Sequence, residues 1–271
     1  MMNTESLQTA EFLTKEQITK MAPSVYAMQP SNDVSDKYTH IPTERVIDDM
    51  ATLGWKPIEA KQVKARKKST QGFQKHLLVF RNNDIVINGE DGDTVYPQIL
   101  LTNSHDGKNS FQFQAGLYRL ICSNGLVIAD EKFEDVKMRH MGYTFEDLQV
   151  KIKDMVERLP LTVESMNKMK AIEMGQEQMI AFAREAVSAR FTAKELNRIE
   201  IDVQELLNPV RKEDRGNDLW SVFNVVQEKL ITGDFSYRAG GKPRKAREVK
   251  NFKQDMVINK KLFNVALEYA S

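Results

Sequence analysis

Cys122, the single cysteine of the 271-residue chain, is followed closely by Asn124 and preceded by His105 and Asp106. These are the residue types of a cysteine nucleophile with an imidazole base and an orienting group. The surroundings of Cys122 favour a plainer role. Leu117, Leu120 and Ile121 beside it have the spacing of one helical face, and a lone cysteine among them reads as a small buried hydrophobe. His105 in Ser104-His105-Asp106-Gly107 reads as a turn residue. A cysteine hydrolase is therefore an alternative that requires an accessible Cys122. The main expectation is a protein that is not an enzyme and carries no cofactor. His40, His76 and His140 are scattered without partners at metal-ligand spacing, so no metal site is expected. Asp91 and Asp93 lack the closing glutamate of a calcium loop and read as a hairpin turn. Gly240-Gly241-Lys242 lacks the upstream glycine and the preceding strand of a phosphate-cradling loop.

Charge segregation is the stronger signal. The chain has 39 basic and 38 acidic residues, a net charge of +1, so no overall field recruits a polyanion and any attraction must be local. One basic segment holds Lys61, Lys64, Arg66, Lys67, Lys68 and Lys75, with Phe73 among them. A second holds Arg238, Lys242, Arg244, Lys245, Arg247, Lys250 and Lys253, with Phe252 among them and Glu248 as its one acid. Loops of this composition can grip phosphates while a ring stacks on a base. The competing reading is a pair of solvated loops balanced by acids nearby in space.

The elements that would position these residues fall into two groups. Thr14-Lys15-Glu16-Gln17 matches a capping box and starts a helix that runs to about Met21 and stops before Pro23. A polar loop spans 29–37, and Thr43 caps a second helix with Val46, Ile47, Met50 and Leu53 on one face and Gly54 at its end. Strands are expected from Trp55 to about Ala65 and from Phe73 to Arg81. Ile85–Ile87 and Val95–Leu101 form a hairpin around the 89–93 turn, and a last strand lies around 133–140. Phe111–Ala129 is the structural centre of this half. Phe111 and Phe113 alternate with Gln112 and Gln114 as in a strand, and the period after Gly116 predicts a short helix, a turn at Asn124-Gly125 and another strand. Arg119 is the one charged residue of that run and must reach an acid, a carbonyl or solvent. Beyond Tyr143 the period is helical. A stripe from Phe145 to Leu159 ends at Pro160, a methionine-rich helical series follows with a break at Gly175, and Asn217 or Asp218 caps a helix ended by Gly233. Residues 255–270 form a final helix. The expected class is α+β, with a mixed, mainly antiparallel sheet domain over 1–141 and a helical region over 142–271.

Composition sets the remaining bounds. A content of 41% hydrophobic and 28% charged residues is that of an ordinary globular chain. One cysteine excludes an internal disulfide framework and points to a reducing compartment. The N-terminus lacks a basic segment followed by an apolar run, and no stretch approaches the roughly 20 apolar residues of a membrane span. A cytoplasmic location without a membrane partner is expected.

Several motifs together resemble one family. Ser35-Asp36-Lys37-Tyr38-Thr39-His40-Ile41-Pro42-Thr43, Ile99-Leu100-Leu101 with Asn103-Ser104-His105-Asp106-Gly107, Gly116-Leu117-Tyr118-Arg119 with the run 121–127, and Asn217-Asp218-Leu219-Trp220 with Gln227-Glu228 and Gly233 are similar to the phage/plasmid-like protein family. This is a domain-of-unknown-function family, number nine-three-two. The resemblance runs from about Thr14 to the C-terminus, with no quotable motif between about 160 and 210. It implies an origin in phages, prophages or plasmids, beside anti-restriction or DNA-metabolism genes, and it brings no catalytic assignment. The element order of the N-terminal half is also similar to that of phage single-strand annealing proteins, a fold-level analogy only. The expectation is a nucleic-acid-associated protein that binds or anneals single-stranded DNA in recombination or replication, as a homo-oligomer. A protein-binding inhibitor of a host defence system is the alternative.

Overall fold

The computed structural model describes residues 11–36, 38–65, 70–88, 94–109, 111–119, 125–127, 136–138, 144–211 and 214–271. The chain divides into two compact units, one of Met1–Leu126 and Lys132–Leu159, the other of Val127–Glu131 and Pro160–Ser271. Cys122, Asn124, His140, Arg66, Lys67, Lys68, Asp91 and Asp93 lie outside the described residues.

The first unit begins with α1 (Lys15–Met21), held by the expected capping box in which Thr14 and Gln17 satisfy each other's backbone amides. A 3-10 turn (Pro23–Tyr26) and α2 (Thr43–Thr52) follow. The strands are β1 (Lys56–Gln62), β2 (His76–Arg81), β3 (Ile87–Asn88), β4 (Thr94–Asn103), β5 (Phe111–Arg119), β6 (Gly125–Val127) and β7 (Val136–Met138). They form one sheet in the order β1-β2-β4-β5-β6, with β3 paired to β4 and β7 to β5. The strand pairs whose register is described are antiparallel. All six residues of β2 are buried, which is why its sequence is a near-continuous apolar run rather than an alternation. His76 stands directly opposite Asn103 in the β2–β4 register. Leu78, Phe80, Ile99 and Leu101 share their face, with Phe113 opposite Leu101. The opposite face carries Arg81, whose guanidinium lies 3.3 Å from the centroid of the Tyr96 ring.

Two expectations are corrected in this half. The helical period after Gly116 does not set the structure there. Gly116–Arg119 continue β5, paired through Gly116 with Gln98, Leu117 with Pro97, Tyr118 with Tyr96 and Arg119 with Val95. A long cross-strand ladder outweighs a three-residue coincidence of spacing; residues 120–124 lie outside the description. Thr43 is the first residue of α2 rather than its cap. Pro42 holds the cap position without a side-chain bond, because the Thr43 hydroxyl is engaged in the interior, as described below.

The helix α3 (Phe145–Lys170) passes through Pro160 instead of ending there. An interior proline costs about 3 kcal/mol, and the helix buries Leu148 and Ile152 before it and Met166 and Met169 after it. The second unit contains α4 (Gln176–Arg190), which starts at Gly175, then α5 (Ala193–Leu196), β8 (Ile199–Ile201), α6 (Leu219–Thr232), β9 (Ser236–Ala239), β10 (Lys242–Lys245) and α7 (Phe252–Tyr269). Asp218 caps α6 by accepting from the Ser221 amide, and Gly233 ends it. Residues Leu219–Leu230 are all buried, against α4 and α7, so α6 is the central rod of this unit. Phe182, Phe223 and Phe263 complete the core. The buried Met166, Met169 and Met174 are packing residues. Helices dominate this half as expected, but it also holds a three-stranded antiparallel sheet in the order β10-β9-β8. Among the described residues no helix is long and apolar enough to cross a membrane.

Candidate functional site

Three of the four histidines converge in the first unit, although they are far apart in sequence. His76 Nδ1 lies 3.1 Å from the Gln74 carbonyl and 3.1 Å from Ser24 Oγ. His76 Nε2 lies 2.9 Å from Thr43 Oγ1. The same hydroxyl oxygen accepts from Asn103 Nδ2 at 3.0 Å and lies 3.4 Å from His105 Nε2. His105 Nδ1 then faces His40 Nε2 at 3.3 Å. His76, His105, Thr43, Asn103 and Ser24 are fully buried, and His40 is half-buried. The expectation of scattered histidines is therefore corrected. The sheet register places His76 beside Asn103, α2 lowers Thr43 onto both, and the loop after β4 swings His105 back to His40. Among the described residues no group of three or more His, Cys, Asp and Glu side chains has a geometry that could hold a metal ion.

The loop carrying His105 is itself fastened on all sides. Its backbone donates to Phe73 O at 3.1 Å and accepts from Ser31 at 2.8 Å. Tyr38 donates to the Ser104 carbonyl at 3.1 Å, Asn103 Nδ2 reaches Ile41 O at 3.3 Å, and Asp106 Oδ1 accepts from Ser104 Oγ at 2.8 Å and from the Lys108 amide at 3.1 Å. Gly107 takes φ +70°, and a Cβ there would press on Val34, so the tight turn needs glycine. Burial pulls the His76 imidazole down to about 4, with its bond to Gln74 opposing the shift; it is a neutral ring at neutral pH. Burial, with Asp106 second, pushes the Tyr38 phenol up to about 12, which keeps it a hydrogen-bond donor. Of the residues considered for cysteine chemistry, His105 thus has both ring nitrogens occupied by His40 and Thr43.

The basic residues lie on surfaces of a different kind. In the first unit Lys61 and Lys64 are exposed, Lys61 paired with Glu59 at 2.5 Å, while Phe73 and Lys75 are half-buried. In the second unit β9 and β10 form the hairpin ribbon of the three-stranded sheet, closed by Gly240-Gly241 at φ +58° and +73°, the left-handed pair that a two-residue hairpin turn demands. A Cβ at either glycine would meet nothing within 4 Å, so the tip stands in open space. Arg238, Lys242, Arg244, Lys245, Arg247 and Lys250 are all exposed. Lys245 pairs loosely with Asp234 at 3.8 Å and Lys250 with Glu248 at 3.8 Å. Lys242, Arg244 and Arg247 have no acidic partner within ion-pair distance among the described residues. Arg238 is different: it stands opposite Glu200 and shares a groove of about 280 Å³ with Glu200, Asp202 and Glu205. Those carboxylates weaken its appeal to an anion. The base of the ribbon is tied down by Arg190, whose guanidinium donates to the Leu230 and Arg247 carbonyls and lies over the Phe191 and Phe235 rings. Phe252 is buried in α7, so it offers no face to a base.

The family model described as a domain of unknown function, DUF932, matches residues 31–263. The chain belongs to the DUF932 family. Two Escherichia coli K12 proteins of that kind of length are similar to it. The UPF0380 protein YafZ is 30% identical over 255 residues, covering 94% of this chain and 90% of its own. The UPF0380 protein YfjQ is 29% identical over the same span with the same coverage. No solved structure matches. In this DUF932 chain the motif segments 35–43 and 103–107, which carried the resemblance, meet at the histidine cluster through Tyr38–Ser104 and His40–His105. His76, Ser24 and Gln74 belong to no quoted motif, and nothing in their spacing could have paired them with Thr43. The ribbon did leave a signal. Gly-Gly between two short segments is a hairpin turn signature, masked by strands of charged residues that do not alternate.

Proposed function

We propose that this DUF932 protein is a nucleic-acid-associated protein of phage or plasmid origin that grips a phosphate backbone with the β9–β10 ribbon and binds single-stranded DNA. The observation that supports the reading most is the set Lys242, Arg244 and Arg247, exposed cations without acidic partners among the described residues, the first two on a ribbon with a bare glycine tip and the third in the segment that follows it. Lys242 and Arg244 share a face and are separated by about 6.6 Å along the strand, twice the strand rise. That spacing suits contact with successive phosphates of an extended strand. The open edge of β10 is guarded against pairing with another strand. Pro243, opposite Arg238, has no N–H to offer there, and Lys242 and Arg244 flank it. The ribbon is thus suited to present charge to a ligand rather than to recruit a strand. α6, buried along its length, is not available as a groove-reading helix. Phe252, being buried, is not available to stack on a base; the first unit's own basic segment carries the half-buried Phe73 with the exposed Lys61 and Lys64.

The test is a mobility-shift titration with single-stranded and double-stranded DNA at two salt concentrations. The wild-type chain is expected to bind single strands with a strong salt dependence, and Lys242→Glu with Arg244→Glu and Arg247→Glu should lower the salt slope by about 2. An unchanged slope removes the ribbon from the interface. No salt-sensitive affinity in the wild type removes the nucleic-acid reading and turns the question to a protein partner.

A further inference from the structure

The groove beside the β9–β10 ribbon carries charges of both signs, which a run of phosphates alone does not explain. In the register of this sheet Glu200, Arg238 and Pro243 lie side by side across β8, β9 and β10, and Ser236 is two residues from Arg238 on the same face. Glu200 and Arg238 are exposed and directly opposite, yet no ion pair closes between them among the described residues. Asp202 and Glu205 line the same groove. Each has one oxygen committed: Asp202 Oδ1 accepts from the Gln204 amide at 3.0 Å, and Glu205 Oε2 from the Ser236 amide at 2.6 Å. The second bond fastens the 3-10 turn Glu205–Leu207 to β9, and Leu206 of that turn is buried. Sheet and turn thus set the walls before a ligand arrives.

These charges restrict what a groove of about 280 Å³ can take. Three carboxylates repel a phosphate, and the Arg238 guanidinium opposes a lysine or arginine side chain. Among the described residues no group of His, Cys, Asp and Glu side chains could hold a metal ion. A neutral, planar ligand with several N–H donors and an acceptor satisfies both signs. A nucleobase is such a ligand, and guanine presents the most donors on its pairing edge, N1–H and the N2 amino group, beside the O6 acceptor. We propose that this groove is a pocket for one guanine of the single strand held by the ribbon, an assignment that rests on the nucleic-acid reading above. The two oxygens of Glu200 accept from N1 and N2 together, and Arg238 donates to O6. Pro243 gives the ring an apolar contact. Lys242 and Arg244 leave β10 on the face opposite Pro243. A strand running along the open edge of β10 therefore keeps its phosphates at those two cations and turns a base over Pro243 into the groove. In a duplex the same edge of guanine is occupied by cytosine, so the pocket selects single strands independently of charge.

Fluorescence anisotropy of the full chain with short labelled thymidine strands, each carrying one central guanine, inosine or thymine, tests this. The guanine strand is expected to bind about tenfold more tightly than the all-thymidine strand, the worth of one good bidentate base contact. Inosine lacks the 2-amino group and should lose most of that gain. Glu200→Gln places an amide N–H where a carboxylate oxygen accepted, and the guanine-to-thymine affinity ratio should fall close to one. Taking the ratio cancels the general gain in affinity that removing a negative charge brings. Arg238→Gln should lower the ratio as well. Both residues are exposed, and urea unfolding of each variant checks that the fold is kept. A guanine preference that persists in Glu200→Gln overturns the pocket. If the three strands bind the wild type alike and with strong salt dependence, the pocket falls and the ribbon reading stands. If no strand binds with salt sensitivity, the nucleic-acid reading fails and the pocket fails with it.

Discussion

The buried histidine corner and the exposed basic ribbon are both polar, and they hold their polar groups in opposite ways. In the corner each named side chain answers to two or three others; Thr43 Oγ1 alone serves His76, Asn103 and His105. On the ribbon and just after it, the side chains of Lys242, Arg244 and Arg247 have no such commitments among the described residues. Buried polar networks rigidify a fold only when every member is satisfied, whereas a surface cation without a partner contributes almost nothing to stability. The comparison therefore separates residues held by the fold from residues available to a ligand. It can be broken or sharpened by how much stability each substitution removes.

The largest loss is expected from Thr43→Val, which keeps the volume and deletes the hydroxyl. It strips His76 Nε2 and His105 Nε2 of the hydroxyl they share, and buried groups left unsatisfied cost about 1–3 kcal/mol each. Urea unfolding should show a loss of about 4 kcal/mol. A loss below about 1 kcal/mol would mean that the corner is less over-determined than its distances indicate.

Next comes pH. His76 titrates near 6.5 when unfolded and about 4 when folded, because burial disfavours its charged form. Between those values the unfolded chain binds more protons than the folded one, so stability falls as pH drops from about 6.5 to about 4 and is level below that. The expected loss from this group is about 3 kcal/mol across the window. His76→Gln should flatten that part of the curve of unfolding free energy against pH. If the slope persists unchanged in the variant, the dependence belongs to other groups.

Arg190 lies between the two extremes, being half-buried and bound to two carbonyls. Arg190→Ala removes the tie between the end of α6 and the strand-to-helix segment at Arg247, and a loss of about 2 kcal/mol in thermal unfolding is expected. Its effect on DNA binding should be indirect, through the aim of the ribbon. Affinity should fall while the salt slope stays near the wild-type value, which distinguishes a positioning residue from a phosphate contact.

How much of this was legible in the sequence follows from the range of the interactions. The capping box at Thr14, the cap at Asp218 and the stop at Gly233 rest on local chemistry and were readable. The α+β class followed from periodicity, and the β3–β4 hairpin from its turn. Local reading failed where distant pairing decided. Gly116–Arg119 follow β4 rather than their own helical spacing, and α3 passes Pro160 with buried side chains on either side. The histidine corner was invisible for the same reason. His40 and His105 meet across 65 residues and Thr43 and His76 across 33, and only the sheet register and the placement of α2 bring them together. The basic segments were visible as composition, but not that Arg238 shares a groove with carboxylates or that Phe252 is buried.

The smallest effect is expected where the functional claim is strongest. Lys242→Glu, Arg244→Glu and Arg247→Glu change three exposed side chains, two on the hairpin and one in the segment after it, and surface changes of this kind usually stay within about 0.5 kcal/mol each. The net charge of the chain moves from +1 to −5, since each reversal subtracts two, yet no described ion pair is broken because none of the three takes part in one. The unfolding free energy of the triple variant should therefore stay within about 1 kcal/mol of wild type. A much larger loss would show that these cations already serve the fold through contacts with the rest of the chain. They would then belong with Thr43 and His76, and the division between held and available residues would fail at the place where the nucleic-acid reading depends on it.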